Sequence, residues 1–187
     1  MGVFMSQLKW IETERLILND LKHEDAEAVF SIFSNDAVLE FYDVKKFTSL
    51  NQAYDLINKM HDRFKNQQGY RYAIRLKSGK LVGSFGVNKI IKTDDQYGVV
   101  IGYDLHPEHW HQGLMSEVLS RILPQLKENS LFSKRISFMI AEVYAENLKS
   151  IQLLLKHGLL QTELNVDQQT DLNLEMTSRL IFKYSFC

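Results

Sequence analysis

Hydrophobic residues recur at two spacings along the first half of the chain. Alternating or continuous apolar residues, typical of strands, lie at residues 15–21, 70–76, 81–90 and 99–105. Apolar residues three or four positions apart, typical of one helical face, lie at residues 24–33 and 53–64. Ser49 and Gln52 form a capping-box pattern before the second helix, and the glycine of KSGK suits a hairpin turn.

The second half repeats this change of spacing. A helical pattern begins at Gly113 and reaches about Lys127, with Pro124 inside it, and a second one begins at Asn147 and stops at Gly158. Strand patterns cover residues 135–144, 159–166 and 172–186. The predicted order is β-α-α-β-β-β-α-β-α-β-β, which combines hairpins with crossovers and indicates an α/β fold with a mixed, mostly antiparallel sheet.

Composition narrows the class of protein. A chain of 187 residues without a linker or repeat fits one domain, residues 1–187. A net charge of −1 gives no field that would attract nucleic acid or an anionic membrane, and no apolar run is long enough to span a bilayer. The single cysteine, Cys187, and the lack of a signal-peptide pattern favour the reducing cytoplasm. We therefore expect a cytoplasmic monomer or homodimer that contacts neither nucleic acid nor membrane.

The stretch HPEHWHQGLMSE admits three interpretations. His106, His109 and His111 could bind a metal ion, although none of them are four residues apart and no cysteine is nearby. They could instead be ordinary loop histidines. Gly113, at the mouth of the predicted helix, could let backbone N–H groups approach a phosphate.

Two motifs in the chain resemble those of the GNAT N-acetyltransferase superfamily, in the branch that acetylates N-terminal alanines of ribosomal proteins. The first follows the pattern Pro-x-x-Trp-Gly-x-Gly-x-Ala-Ser/Thr-Glu and is matched here by Pro107, Trp110, Gly113, Ser116 and Glu117. The second is matched by Asn147, Ser150 and Gly158, with Leu159 in place of phenylalanine. The resemblance extends from about Glu12 to Tyr184 and implies a GNAT-like sheet with a splayed parallel strand pair.

The resemblance implies acetyl-CoA as co-substrate and no metal. The diphosphate would lie on backbone N–H groups from Gln112 to Ser116, and the pantetheine would lie between the strand ending at Leu105 and the strand starting at Arg135. The implied cofactor-binding residues are Tyr103, Asp104, Leu105, Trp110, His111, Gln112, Gly113, Leu114, Met115, Ser116, Asn147 and Ser150.

Three positions depart from the family pattern. His111 stands where the family prefers glycine and Met115 where it prefers alanine or glycine, while Leu154 stands where many members have the tyrosine that acts as general acid. The His111 side chain could crowd a diphosphate or, when protonated, pair with it. These departures motivate an alternative function, a GNAT-fold protein that binds CoA or a partner with little or no turnover.

Candidate catalytic groups lie near the second motif. Glu142 shares a face of its predicted strand with apolar residues, so a half-buried carboxylate could act as general base, or it could simply be a strand-end residue in water. Ser150 corresponds to the hydroxyl that the resemblance assigns to the leaving thiolate, or it could bond only its own helix. Asn147 is both a favourable N-cap and the residue that the resemblance assigns to the pantetheine arm.

The binding site for the acetyl acceptor is the part of the predicted active site that the sequence specifies least. The resemblance places it beside residues 35–47 and the last hairpin, where Phe41, Tyr42 and Tyr72 could line it or could belong to the core. The prediction is an acetyl-CoA-dependent N-acetyltransferase in which a primary amine attacks the thioester directly. The amine would belong to a protein N-terminus, such as a ribosomal-protein alanine, or to a small molecule.

Overall fold

The computed structural model describes residues 8–93, 95–128, 134–163 and 179–186. Eight strands occur in these ranges: β1 (Ile11–Glu12), β2 (Leu16–Asp20), β3 (Tyr70–Leu76), β4 (Leu81–Lys92), β5 (Tyr97–Leu105), β6 (Ile136–Tyr144), β7 (Leu160–Thr162) and β8 (Arg179–Ser185). The same ranges contain five α-helices: α1 (Ala26–Phe33), α2 (Asp36–Leu39), α3 (Leu50–Lys65), α4 (Leu114–Glu128) and α5 (Leu148–Lys156).

The strands form one sheet in the order β1-β2-β3-β4-β5-β6-β8-β7. In the described ranges, β5 and β6 are its parallel pair, and the pairings of β1 with β2, β2 with β3, β3 with β4, β6 with β8 and β7 with β8 are antiparallel. The ladder between β5 and β6 runs from Tyr97↔Ile136 to Ile101↔Ala141, although β5 continues to Leu105 and β6 to Tyr144. The predicted mixed, mostly antiparallel α/β fold is therefore confirmed.

Local sequence signals explain where the elements begin and end. Ser49 and Gln52 form the expected capping box at the start of α3. Gly79 has φ +91° in the turn between β3 and β4, a backbone conformation that favours glycine. The side chain of Asn147 accepts the Ser150 N–H at 3.1 Å and so caps α5, while Gly158, at φ +79°, ends it.

The described residues divide into two compact units. The first comprises the described parts of Met1–Asn88 and Tyr103–Val118, and the second those of Lys89–Gly102 and Leu119–Cys187. The first unit packs α1 and α3 around buried residues that include Val29, Phe33 and Ile57. In the second unit, Phe138 and Ile140 of β6 pack with other buried apolar residues.

The elements missed by sequence reasoning are short. β1 has two residues and α2 has four, too few to show a period. Of the last two predicted strands, residues 160–162 and 179–185 are strands, while the predicted DQQT turn and Cys187 lie outside the described residues. None of the described helices is long and apolar enough to cross a bilayer.

Candidate active site

The loop between β5 and α4 is held by its own polar groups. His106 precedes a short 3-10 turn, Pro107–His109, and its Nδ1 accepts the backbone N–H of Glu108 at 3.4 Å. The indole Nε1–H of Trp110 donates to the carbonyl oxygen of Leu105 at 2.8 Å. The matched Trp110 therefore ties the loop back to the end of β5.

Two residues of this loop adopt left-handed backbone conformations. His111 has φ +59° and Gly113 has φ +73°, immediately before α4 begins at Leu114. The backbone at His111 thus has a conformation that favours glycine, which is the residue that the family motif has at this position. Histidine adopts this conformation less readily than glycine does. Residues 111–113 are exposed, whereas Met115 is only 6% exposed. Of the two bulky departures in the motif, His111 faces solvent and Met115 belongs to the core.

Gly113 leaves open space at the start of α4. A Cβ atom built there would lie within 4 Å of a single group, the Nη2 atom of Arg15 at 3.7 Å. Exposed backbone at the positive end of a 15-residue helix fits an anion such as a diphosphate.

Arg15 links the beginning of the first unit to this loop. Its Nε donates to Glu117 Oε2 at 2.6 Å, its backbone N–H to Glu117 Oε1 at 2.8 Å, and its Nη1 to the carbonyl oxygen of Gln112 at 2.8 Å. Burial raises the pKa of Glu117, but hydrogen bonds from Thr13 and Arg15 and the Arg15 charge outweigh it, so the pKa lies below its usual 4.5. Glu117 is therefore ionised and binds Arg15 through both carboxylate oxygens.

A second polar cluster lies inside the first unit. Arg71 Nη1 donates to Asp104 Oδ2 at 3.1 Å and to Ser84 Oγ at 2.8 Å, and Arg71 Nη2 donates to Asn88 Oδ1 at 2.7 Å. Burial raises the pKa of Asp104, although Arg71 and Ser84 oppose that rise. Among the described residues, Asp104 Oδ1 is buried without a hydrogen-bond partner. The Asp104 side chain thus fixes the end of β5 to β3 and β4.

Of the aromatic residues predicted for the acceptor, Tyr42 joins this cluster. Its hydroxyl accepts a long hydrogen bond from Arg71 Nη1, at 3.5 Å, and its ring packs edge-on against Phe33 with centroids 5.6 Å apart. Phe41 is half-buried beside it in the chain. Tyr72 is only 6% exposed and contacts Tyr70. Because Tyr72 follows Arg71 in β3, its side chain lies on the opposite face from the cluster, so the structure does not bring it to Tyr42.

Glu142, in the second unit, has a cationic partner. Its Oε2 lies 3.1 Å from Arg179 Nη1, and the Glu142 side chain is 15% exposed. Arg179 also donates to the Tyr144 hydroxyl at 3.3 Å and lies over the Tyr144 ring. Glu142 is therefore neither a lone buried acid nor a solvated strand end, but one member of a half-buried trio.

The start of α5 provides the other groups of the second motif. Asn147 caps the helix and Ser150 is half-buried in its first turn. Leu154 is fully buried, so the position that holds a tyrosine in many family members contributes to the core. Because the Asn147 cap uses the amide oxygen, its NH₂ group is not used by this bond.

The histidine stretch does not assemble ligands for a metal. The rings of His106 and His109 are 6.4 Å apart, and His106 Nε2 contacts the hydroxyl of Ser31 at 3.3 Å. Burial, together with the charges of Lys80 and His106, lowers the pKa of His109. In the described ranges, no three histidine, cysteine, aspartate or glutamate side chains are arranged to hold a metal ion.

Sequence reasoning missed the roles of Arg15 and the Arg71 cluster. Arg71 and Asp104 are charged residues within mostly apolar strands, and a charge directed inward requires a partner. A charged residue in such a strand indicates a buried ion pair but does not identify the other member of the pair. Arg71 and Asp104 lie 33 residues apart in the chain, so no local pattern joins them.

Known proteins resemble this chain in sequence and fold. A family profile described as an acetyltransferase (GNAT) domain matches residues 15–160. An uncharacterised N-acetyltransferase of Bacillus subtilis, YoaA, is 35% identical over 149 residues, which cover 79% of this chain and 81% of that protein. A second relative, the uncharacterised N-acetyltransferase p20 of Bacillus licheniformis, is 31% identical over 79% of this chain and 80% of its own length.

Among solved structures, the RimL ribosomal L7/L12 alpha-N-protein acetyltransferase in complex with coenzyme A has a TM-score of 0.76 at 14% identity, covering 95% of this chain and 98% of that chain. This likeness shows a shared fold. The family profile and the Bacillus relatives, which cover most of the sequence, confirm the resemblance carried by the two motifs and the prediction of an acetyltransferase. The chain belongs to the GNAT acetyltransferase family.

Proposed function

We propose that this protein is an acetyl-CoA-dependent N-acetyltransferase that acts on a primary amine. The observation that carries the proposal is the exposed loop at residues 111–113, with two left-handed residues, immediately before the 15-residue helix α4. This is the part of the motif that binds the cofactor diphosphate in the family, and the RimL structure of the same fold contains coenzyme A.

The residues that we assign to the cofactor fall into two groups. In the first, the backbone of residues 112–116 would hold the diphosphate, and the backbone of Tyr103, Asp104 and Leu105 would face the pantetheine. In the second, the NH₂ group of Asn147 would contact the pantetheine arm while its oxygen caps α5. Trp110 supports the first group by fixing the loop to Leu105.

Acetyl transfer to an amine requires removal of the amine proton and stabilisation of the leaving thiolate. Bound acetyl-CoA supplies the acetyl group as a thioester. We assign proton removal to Glu142, whose half-buried carboxylate is oriented by Arg179, and thiolate stabilisation to the Ser150 hydroxyl. Leu154 has no proton to donate, so the general acid cannot be the family tyrosine.

We assign the acceptor side to Phe41 and Tyr42, and Tyr72 is the weakest of the three predicted acceptor residues because its side chain is buried against Tyr70. RimL is described as acetylating the α-amino group of a ribosomal protein. A protein N-terminus is accordingly our first acceptor class, and a small-molecule amine is the second.

A two-part experiment tests this function. Acetyl-CoA should raise the melting temperature, because a ligand that binds only the folded state stabilises it by mass action. Free thiol should then be released when the protein and acetyl-CoA are offered N-terminal peptides and small amines. A thermal shift without thiol release across the panel would favour the alternative, a CoA-binding protein without turnover. No shift at millimolar acetyl-CoA would refute both.

A further inference from the structure

We propose that Arg15 is a positioning residue for the diphosphate loop, acting through the peptide group between Gln112 and Gly113. This inference rests on the proposed function, since it concerns how the same loop is prepared for its ligand. Neither cofactor motif includes Arg15, which lies 97 residues before Gln112 in the chain.

Two hydrogen bonds hold Arg15 against Glu117. Its Nε and its own backbone N–H donate to the two carboxylate oxygens of Glu117, which lies in the first turn of α4. The Glu117 N–H in turn donates to the Gly113 carbonyl at 3.0 Å. A planar guanidinium held in this way has a defined orientation for its remaining donors.

One of those donors determines the direction of a backbone N–H group. Nη1 donates to the carbonyl oxygen of Gln112 at 2.8 Å, so that carbonyl points toward Arg15. In a planar trans peptide the C=O and the following N–H point in opposite directions, so the Gly113 N–H points away from the guanidinium. Gly113, at φ +73°, has no side chain to limit rotation of this peptide group. The hydrogen bond from Arg15 to the Gln112 carbonyl supplies that restraint.

Arg15 also neutralises a charge that would oppose the ligand. Glu117 is ionised in the first turn of α4, and an unpaired carboxylate there would repel a diphosphate bound at the same helix terminus. The salt bridge at 2.6 Å places a positive charge beside that carboxylate and so opposes the repulsion. Positioning of the Gln112–Gly113 peptide and neutralisation of Glu117 therefore both favour binding of a diphosphate. Separate variants are needed to distinguish the two effects.

The experiment compares affinity for CoA with affinity for pantetheine, which lacks the diphosphate and the nucleotide. For Arg15→Gln we expect CoA binding to weaken about tenfold, the size of one charge-assisted hydrogen bond, with pantetheine binding unchanged. Both affinities are measured by titration calorimetry, and folding is checked by melting temperature. The matched control is Lys77→Gln, which removes the same charge from a side chain of similar exposure (43% against 46%) that is paired with Glu12.

Two further variants separate position from charge. The double variant Arg15→Gln, Glu117→Gln keeps the net charge, and Arg15→Lys keeps the cation but lacks the planar fork. Both should bind CoA more weakly than the wild type. Wild-type CoA affinity in the double variant, or an equal loss of CoA and pantetheine binding in Arg15→Gln, would overturn the inference. Failure of the wild-type protein to bind CoA would instead refute the proposed function itself.

Discussion

Asp104 of β5 and Arg71 of β3 form a buried ion pair at 3.1 Å, with side chains 1% and 8% exposed. Asp104 also accepts a hydrogen bond from Ser84, and Arg71 donates to Asn88. The pair therefore joins β5 to β3 and β4 at the end of β5, where the backbone is assigned to the pantetheine. We expect this region to be rigid before any ligand binds.

Asp104→Ala should be strongly destabilising, because it leaves the Arg71 charge buried without its carboxylate. The expected loss in the free energy of unfolding is about 3–5 kcal/mol, measured by urea denaturation. Lys46→Ala, which breaks the exposed pair with Asp36, is the control and should cost less than about 1 kcal/mol. Equal losses in the two variants would mean that the buried pair contributes no more than a surface pair.

His111→Gly should stabilise the protein slightly. Removing the side chain from a left-handed residue should raise the free energy of unfolding by about 1–2 kcal/mol. The greater freedom of glycine in the unfolded chain should offset about 0.5–1 kcal/mol of that gain. If the imidazole only crowds the diphosphate, CoA affinity should be equal or higher in this variant. His111→Ala is the control, since it removes the imidazole but retains the strained backbone. Weaker CoA binding in both variants would show instead that the histidine side chain pairs with phosphate.

Two substitutions at Asn147 separate its two functions. Asn147→Ala should lower the free energy of unfolding by about 1 kcal/mol, since α5 loses its cap. Asn147→Ser should retain most of that stability, because serine is also a good N-cap, but it has no NH₂ group for the pantetheine arm. We therefore expect Asn147→Ser to weaken acetyl-CoA binding in a thermal-shift titration. Full affinity in a stable Asn147→Ser protein would limit Asn147 to the cap.

Glu142→Gln should lower kcat by roughly 10²–10⁴-fold, the usual range for loss of a general base, while the thermal shift with acetyl-CoA is retained. Glu146→Gln, at an exposed position near the same strand end, is the control and should leave both quantities unchanged. An unaltered kcat in Glu142→Gln would remove this carboxylate from the mechanism.

Glu117 should make stability depend on pH in the acid range. Because its pKa is lower in the folded protein than the usual 4.5, the unfolded chain takes up the proton first as pH falls. The stabilisation is fully present above about pH 4.5 and is lost as pH falls from there through the folded pKa. The difference in unfolding free energy between the wild type and Glu117→Gln should shrink over that range. A constant difference from pH 7 to pH 3 would contradict the lowered pKa.

Much of the fold followed from the spacing of apolar residues. The capping box at Ser49, the hairpin around Gly79 and the helix after Gly113 were all predicted correctly, because each depends on residues close together in sequence. The strands β3 to β6 were predicted for the same reason. The family resemblance also rests on short motifs, so it too could be found without tertiary structure.

Long-range pairing could not be predicted in this way. No periodicity indicates that Arg71 pairs with Asp104, that Arg179 pairs with Glu142, or that Arg15 bonds to Gln112. The strand register determines the first two pairs, because side-chain direction alternates along each strand and a shift of one residue would reverse it. The same alternation separates Tyr72 from Tyr42, two residues that the sequence alone had grouped together.

The sequence by itself determined the order of the elements, the family and the loop at residues 111–113, since these depend on local backbone preference and on motifs of a few residues. Only the tertiary structure decided which charges are neutralised, that Met115 is buried while His111 is exposed, and which donor orients the Gly113 peptide. These features depend on groups that are distant in the chain and meet only when the strands and helices pack.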